Sequence, residues 1–178
     1  MLQINCDKDL NLKLLTLQEA PLVRQLVDEN RVYLRKWLPW VDSDHDLSDT
    51  EKFIDANLMA WQRKVGLTMG VWYQEKLVGI ISFHRIVLMH RFCTIGYWLA
   101  ESSQGKGIMT RACKAMIDYA FEKLDLYKVE IRVATENIKS RKIPESLGFK
   151  QEGIRRKIEW VNGNFRDHAL YGLLKNND

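Results

Sequence analysis

Two glycines that flank a lysine, within residues 104–109, constrain the fold of this chain more than any other feature. They follow an apolar run over residues 95–100 and open a long amphipathic segment over residues 107–124. Apolar and charged residues then alternate over residues 127–134, as they do in a strand with one buried face. The order strand, helix, strand predicts a parallel βαβ unit with a right-handed crossover.

The glycine loop has the chemistry of an anion site. Because glycine has no Cβ atom, Gly105 and Gly107 allow a sharp turn and a close approach of a ligand to the backbone. The N-terminus of the following helix adds unpaired N–H groups and the positive end of its dipole. The loop is not a P-loop, and Thr110 occupies the position of the third glycine of the dinucleotide fingerprint. We expect a phosphate-bearing ligand other than ATP or NAD, with a plain turn as the alternative.

Length and composition exclude several classes of protein. The chain has 178 residues, of which 46% are hydrophobic, so we expect one folded domain over residues 1–178. A net charge of +4 is too small to indicate nucleic-acid binding. Cys6, Cys93 and Cys113 lie far apart, as in a reduced cytoplasmic protein. We also expect no membrane span, no signal peptide and, because the four histidines are scattered, no metal.

The rest of the pattern predicts an α/β sandwich with a mixed sheet. Ser48, followed by Glu51 three residues later, is predicted to be the N-cap of a helix. The turn Asn162-Gly163 predicts a hairpin. The predicted strands cover residues 12–16, 67–73, 77–87, 91–99, 127–134, 151–160 and 164–174, and the predicted helices cover residues 17–30, 48–65, 107–124 and 137–146.

Two sequence motifs, the glycine loop within residues 104–109 and a later segment over residues 137–149, resemble the GCN5-related N-acetyltransferase (GNAT) family. The first motif of that family is Gln/Arg-x-x-Gly-x-Gly/Ala, and Gln104, Gly107 and Met109 stand at its positions, with Met109 in place of a small residue. The second resemblance lies in residues 137–149. Residues 12–20, 37–40, 95–99 and 152–167 narrow the likeness to ribosomal-protein N-terminal acetyltransferases of the RimJ/RimL type.

The resemblance implies a GNAT fold, in which a central mixed sheet is flanked by helices, with the motif core at about residues 67–150. It also implies acetyl-CoA as co-substrate and a primary amine as acceptor, foremost the α-amine of a ribosomal or other protein. A small amine, such as a polyamine, an amino sugar or a toxin, is the second hypothesis. A CoA-binding module without catalysis is the third, and a homo-oligomer is left open.

The same resemblance implies which residues bind acetyl-CoA. The backbone of the glycine loop would hold the pyrophosphate, with Lys106 adding charge at its rim, and Asn137 would hydrogen-bond the pantetheine. The pantetheine would also pair with the strand before the loop, as an added strand does. The implied cofactor-binding residues are Tyr97, Trp98, Leu99, Gln104, Gly105, Lys106, Gly107, Ile108, Met109 and Asn137.

The implied catalytic residues are Glu159 as general base and Ser140 as the acid for the leaving thiolate. Pro144 stands where many members of the family carry a tyrosine acid, and it should bend or break its helix and free the backbone at Ser140. The alternatives are a helix N-cap for Ser140 and a solvated strand-edge carboxylate for Glu159. Trp37 and Trp40 would wall the acceptor cleft, or else belong to the core.

Overall fold

Apart from one additional strand near the N-terminus, the strands and helices follow one another along the chain in the predicted order. The computed structural model describes residues 2–43 and 45–176. Its strands are β1 (Gln3–Asn5), β2 (Leu10–Leu14), β3 (Leu67–Tyr73), β4 (Lys76–Val87), β5 (Phe92–Leu99), β6 (Lys128–Ala134), β7 (Lys150–Val161) and β8 (Asn164–Leu174). Its helices are α1 (Ala20–Leu34), α2 (Leu47–Gln62), α3 (Ile108–Glu122) and α4 (Ile138–Ser146).

The eight strands form one mixed sheet in the order β1-β2-β3-β4-β5-β6-β8-β7. β5 and β6 are parallel and are joined through α3, as the βαβ pattern predicts, whereas the other neighbouring strands are antiparallel. The predicted fold class, a mixed α/β sheet flanked by helices, is confirmed.

The helices cover both faces of the sheet. Trp98 of β5 packs against a cluster that contains Val23 of α1 and Ile54 of α2. Its neighbour Tyr97 packs against the larger core cluster, to which Met116 of α3 belongs. Because successive strand residues point to opposite faces, α1 and α2 lie on one face and α3 on the other. Within residues 2–43 and 45–176, no helix is long and apolar enough to cross a bilayer.

Strong local signals in the sequence are confirmed. Asn162 and Gly163 have φ angles of 51° and 75°, the two positive values that a type I′ hairpin turn requires between β7 and β8. Gly148, with φ of 82°, directly follows the last turn of α4.

The N-terminal third departs from the predicted boundaries. The strand predicted at residues 12–16 is β2, which begins at Leu10, and the pattern missed β1, which pairs with β2 at the edge of the sheet. Such a short edge strand is stabilised by its partner, so its own residues carry little signal. α1 continues past residue 30, where the predicted helix ends, to Leu34, and Leu38, the residue before Pro39, has an extended backbone.

The predicted N-cap of α2 is wrong. α2 begins at Leu47, and its N-cap is Asp46, whose side chain accepts a hydrogen bond of 3.1 Å from the Asp49 N–H. Ser48 therefore lies inside the first turn, with an exposed side chain. Asp46 and Asp49 have the same three-residue spacing as Ser48 and Glu51, and only the path of the chain before the helix selects between the two pairs.

The Asp46 cap can be tested against Ser48. Asp46→Ala should lower the free energy of unfolding by about 1 kcal/mol, because one N–H group of the first turn loses its acceptor. Ser48→Ala should change it by less than about 0.5 kcal/mol, as for most exposed positions. Urea unfolding followed by circular dichroism measures both variants. A larger loss for Ser48→Ala than for Asp46→Ala would contradict the observed cap.

Candidate active site

The parallel strands β5 and β6 diverge part-way along their length. Their pairing runs from Phe92↔Lys128 to Ile95↔Ile131 and ends there. Beyond that point β5 still pairs with β4 as far as Leu99, and β6 still pairs with β8 as far as Ala134. The sheet therefore opens between the C-terminal ends of two parallel strands, where ligands bind in open α/β sheets. The facing edge of β5 keeps free backbone groups for an extended ligand.

The glycine loop lies beside this opening and has the geometry of an anion cradle. Gly105 and Gly107 have φ angles of 74° and 68°, and apart from the adjoining residues no heavy atom of the described chain lies within 4 Å of a Cβ atom built on either. Gly107 is the N-cap of α3 and supplies no capping side chain. Across the described part of the chain, no protein group accepts a hydrogen bond from the backbone N–H groups of residues 105–110. Six free donors at a helix N-terminus suit a pyrophosphate.

Two side chains in the first turn of α3 anchor the loop from behind. Ile108 and Met109 are 1% and 5% exposed and pack in the main core. Their side chains point inward while their N–H groups remain free. The departure of Met109 from a small residue is thus accommodated in the core, away from the backbone groups that would meet phosphate.

A residue of α1 that the sequence pattern did not single out also supports the loop. The Oδ1 atom of Asn30 accepts a hydrogen bond of 2.9 Å from the Glu101 N–H, where the chain leaves β5. The Nδ2 group of Asn30 donates to the Leu26 carbonyl, which fixes the orientation of the amide. The loop is therefore tied to a helix on the opposite face of the sheet.

Tyr97 and Ser140 meet across the opening. The Tyr97 hydroxyl donates to the Ser140 carbonyl at 3.1 Å, and the Ser140 hydroxyl donates to the Tyr97 Oη atom at 3.3 Å. The predicted break at Pro144 is wrong, because α4 continues through it. The Ser140 carbonyl does lack the helical N–H donor that Pro144 cannot supply, and Tyr97 replaces that donor. Desolvation raises the pKa of Tyr97, so its hydroxyl stays protonated at neutral pH.

Asn137, not Ser140, caps α4. The Asn137 Oδ1 atom accepts a hydrogen bond of 3.2 Å from the Ser140 N–H, so the alternative of an N-cap for Ser140 is wrong. Among the described residues, no protein group accepts from the Asn137 Nδ2 group. Its two N–H bonds remain available to a ligand at the opening.

Glu159 lies on the other face of the sheet, paired with His168. The Glu159 Oε2 atom is 2.9 Å from the His168 Nε2 atom, and the two side chains are only 29% and 16% exposed. Glu159 is directly opposite Arg166 on β8, and the same face carries His168 two residues further on. Glu159 does lie on the edge strand β7, as the alternative has it, but its side chain is largely buried and hydrogen-bonded.

A bulge in β7 sets the position of Glu159. Between the pairs Arg155↔His168 and Glu159↔Arg166, β7 advances four residues while β8 advances two. Within the bulge, Lys157 adopts φ of 49°, and its N–H donates to the Asp167 Oδ1 atom at 2.8 Å. Asp167 thereby holds the irregular backbone that precedes Glu159.

The two tryptophans of the predicted acceptor wall bridge both sides of the opening. The Trp40 ring lies 6.4 Å from the Trp98 ring of β5, centroid to centroid. The Trp37 ring lies 5.8 Å from the guanidinium of Arg166 on β8, a cation–π contact. Trp40 remains 37% exposed, so this segment is not simply core.

The predicted site residues thus gather around one opening, on two faces. Tyr97, Ser140 and Asn137 occupy the α3/α4 face, and Trp98, Trp40 and Glu159 belong to the other. Sequence reasoning missed three supporting residues, Asn30, Asp167 and His168. Two of them had a signal in the sequence: Asp167 ends the family-like segment 152–167, and the predicted turn at residues 162–163 places His168 near Glu159 across the hairpin. In the described ranges, no three His, Cys, Asp or Glu side chains converge as metal ligands.

Residues 9–150 match the family model of the acetyltransferase (GNAT) domain. The chain belongs to the GNAT acetyltransferase family. Its similarity extends to whole proteins: YdaF of Bacillus subtilis (strain 168) is 35% identical over 98% of this chain and 96% of its own length. The ribosomal-protein-serine acetyltransferase of Escherichia coli (strain K12) is 31% identical over 84% of each chain. The RimJ/RimL-type resemblance is confirmed.

Solved structures agree in fold. RimL, a ribosomal L7/L12 α-N-protein acetyltransferase in complex with coenzyme A, has a TM-score of 0.95 at 26% identity, covering 99% of this chain and 100% of its own. The microcin C7 self-immunity acetyltransferase MccE, in complex with acetyl-CoA and AMP, has a TM-score of 0.91 at 27% identity, covering 95% and 94%. This GNAT member is an acetyl-CoA-dependent N-acetyltransferase, as predicted.

Proposed function

We propose that this enzyme acetylates the α-amino group of a protein N-terminus, with Glu159 as general base. The Glu159–His168 pair at 2.9 Å carries this proposal, because it provides an oriented, largely buried carboxylate, and His168 pairs with Ala134, the last residue of β6 at the opening. Relatives support the acceptor class: one is named a ribosomal-protein-serine acetyltransferase and another a [ribosomal protein uS5]-alanine N-acetyltransferase. A cytoplasmic location fits the three free cysteines.

The cofactor residues follow from the free backbone groups. The unpaired N–H groups of residues 105–110 would bind the pyrophosphate, with Lys106 at the exposed rim. The pantetheine amides would pair with β5 at Tyr97, Trp98 and Leu99, where β6 has turned away. The free Nδ2 group of Asn137 would donate to a pantetheine carbonyl.

The reaction itself needs one proton acceptor and one donor toward sulfur. The ammonium group of the acceptor gives a proton to Glu159, directly or through water, and the neutral amine attacks the thioester carbonyl. A C–N bond forms, the C–S bond breaks, and the electron pair goes to sulfur, toward which the Ser140 hydroxyl donates a hydrogen bond. The attacking nitrogen loses its second proton to solvent as the amide forms. His168 holds Oε2 of Glu159, which leaves Oε1 for the proton. A carboxylate suits an α-amine, whose pKa of about 8 lies well below the ~10.4 of lysine.

The acceptor class can be tested with purified enzyme and acetyl-CoA. With peptides that begin with serine or alanine, the enzyme should release free CoA from acetyl-CoA. With the same peptides carrying blocked N-termini, it should not. Spermidine and an amino sugar should react much more slowly. A preference for either small amine would support the second hypothesis, and no release with any amine would support a binding module without catalysis.

The role of Glu159 predicts a kinetic loss without a binding loss. Glu159→Gln should lower kcat by about 10²–10⁴-fold and remove the acidic limb of the pH–rate profile, because an amide cannot accept the proton. The acetyl-CoA dissociation constant from calorimetry should stay within about three-fold. Glu152→Gln is the matched control, since Glu152 lies on the same strand but pairs with Lys128 at 2.7 Å. Similar kcat values for the two variants would exclude Glu159 as base.

The pyrophosphate loop predicts the opposite pattern. Gly107→Val places a branched side chain at φ of 68° in the cradle and should weaken CoA binding by at least about ten-fold, because the backbone must move. Gly153→Val is the control, since Gly153 also has open space around its Cβ position but no positive φ. Calorimetry with CoA and thermal unfolding separate lost binding from lost fold. Unchanged CoA affinity in a folded Gly107→Val protein would contradict the assignment of this loop as the pyrophosphate site.

A further inference from the structure

The environment of the Ser140 carbonyl is unusual for a helix. In a regular helix this carbonyl would accept from the N–H of residue 144, but Pro144 has none. Pro144 is buried, so water cannot easily reach the gap that its ring leaves. A backbone acceptor in such a place needs a partner, and the Tyr97 hydroxyl supplies it at 3.1 Å.

The same tyrosine fixes the direction of the Ser140 hydroxyl. Tyr97 has one hydroxyl proton, which it donates to the carbonyl, so its oxygen lone pairs are left to accept. The Ser140 hydroxyl donates to that oxygen at 3.3 Å. The two residues therefore form a closed pair of hydrogen bonds, in which the backbone of α4 orients Tyr97 and Tyr97 orients the serine side chain.

Tyr97 also stands on the segment of β5 that faces the opening. β5 has lost its pairing with β6 after Ile95, so Tyr97 lies where the extended arm of the cofactor would add to the sheet. β5, the strand that would align the thioester, therefore also carries Tyr97, which orients the Ser140 hydroxyl.

We propose that Tyr97 is the positioning residue for Ser140, and that Pro144 enables this role by leaving the Ser140 carbonyl for the Tyr97 hydroxyl. This inference rests on the proposed function, in which Ser140 donates to the leaving sulfur. When the C–S bond breaks, the Ser140 hydroxyl turns from the Tyr97 oxygen to the thiolate, and Tyr97 keeps the serine backbone in place.

Tyr97 is not itself the source of the proton. A phenol has a pKa of about 10 and a thiol one of about 8.5, so transfer from Tyr97 to the thiolate would be unfavourable. Desolvation raises the pKa of Tyr97 further and makes a buried tyrosinate costlier still. The proton that the product thiol carries at neutral pH comes from solvent.

The first test is a double-mutant cycle at saturating acetyl-CoA. Tyr97→Phe keeps the ring and removes both hydrogen bonds, so single-turnover transfer should slow by about ten- to a hundred-fold, as for other misplaced groups. Ser140→Ala should slow it by a similar factor, and the double variant should be no slower than Ser140→Ala alone. The CoA dissociation constant of Tyr97→Phe should stay within about three-fold of the wild-type value.

A second test separates positioning from simple stability. Tyr97→Phe leaves the Ser140 carbonyl without a hydrogen-bond donor and should lower the melting temperature. Adding Pro144→Ala restores an N–H donor for that carbonyl, so the melting temperature should recover while the transfer rate stays low. Tyr171→Phe is the matched control, because the Tyr171 hydroxyl also joins the sheet to α4, through Arg141 and Glu145, without touching Ser140. That variant should lose stability and keep its transfer rate within about three-fold.

The outcomes are distinct. The role of Tyr97 would be overturned, and that of Ser140 kept, if Tyr97→Phe transferred at the wild-type rate while Ser140→Ala was slow. Rate losses that multiply in the double variant would have the same meaning. Recovery of the rate together with the melting temperature in Tyr97→Phe/Pro144→Ala would make Tyr97 a structural residue and also overturn it. A wild-type rate for Ser140→Ala would remove the role of Ser140 and this inference with it. Failure of the wild-type enzyme to acetylate any amine would instead contradict the proposed function.

Discussion

The divergence of β5 from β6 is the constraint on which the site depends. Four paired positions, from Phe92↔Lys128 to Ile95↔Ile131, hold the strands together before they separate. Each strand keeps its other neighbour, β4 or β8, so the sheet can open without losing either strand. The cost is a set of unpaired backbone groups, and unpaired groups favour a ligand that can satisfy them.

The two helices that begin at the opening treat their N-termini differently. The N-cap of α3 is Gly107, which offers no capping side chain, so the first N–H groups of the helix remain free. α4 is capped by Asn137, whose Oδ1 atom accepts from the Ser140 N–H. A free terminus suits a doubly charged pyrophosphate, whereas a capped one holds Ser140 in a defined place. Local capping chemistry thus separates an anion site from a site for neutral donors.

The opening also lies between the proposed general base and the proposed hydrogen-bond donor to the leaving sulfur. Glu159 and His168 occupy the face of the sheet that Trp37 and Arg166 line. Ser140 of α4 and Tyr97 of β5 meet on the other face. A direct transfer needs a base near the incoming amine and a donor near the departing sulfur, and an opening through the sheet allows both without crowding. The bulge held by Asp167 and the cap supplied by Asn137 are the two local devices that set these positions.

The sequence by itself determined the elements whose signals are local. The βαβ order, the amphipathic helix α3 and the turn at Asn162-Gly163 follow from periodicity and turn chemistry, and the structure has all three. The family motif added Ser140 and Glu159 as candidates, but it did not place them.

Only the tertiary structure decided which groups meet. Tyr97 reaches Ser140 across 43 residues of chain, and Asn30 reaches Glu101 across 71. The cap of α2 at Asp46 and the edge strand β1 were likewise decided by the surrounding chain. Periodicity reports which face of an element is buried, but it carries no information about the partner at long range. That partner is set by where the sheet opens and by how the helices pack over it.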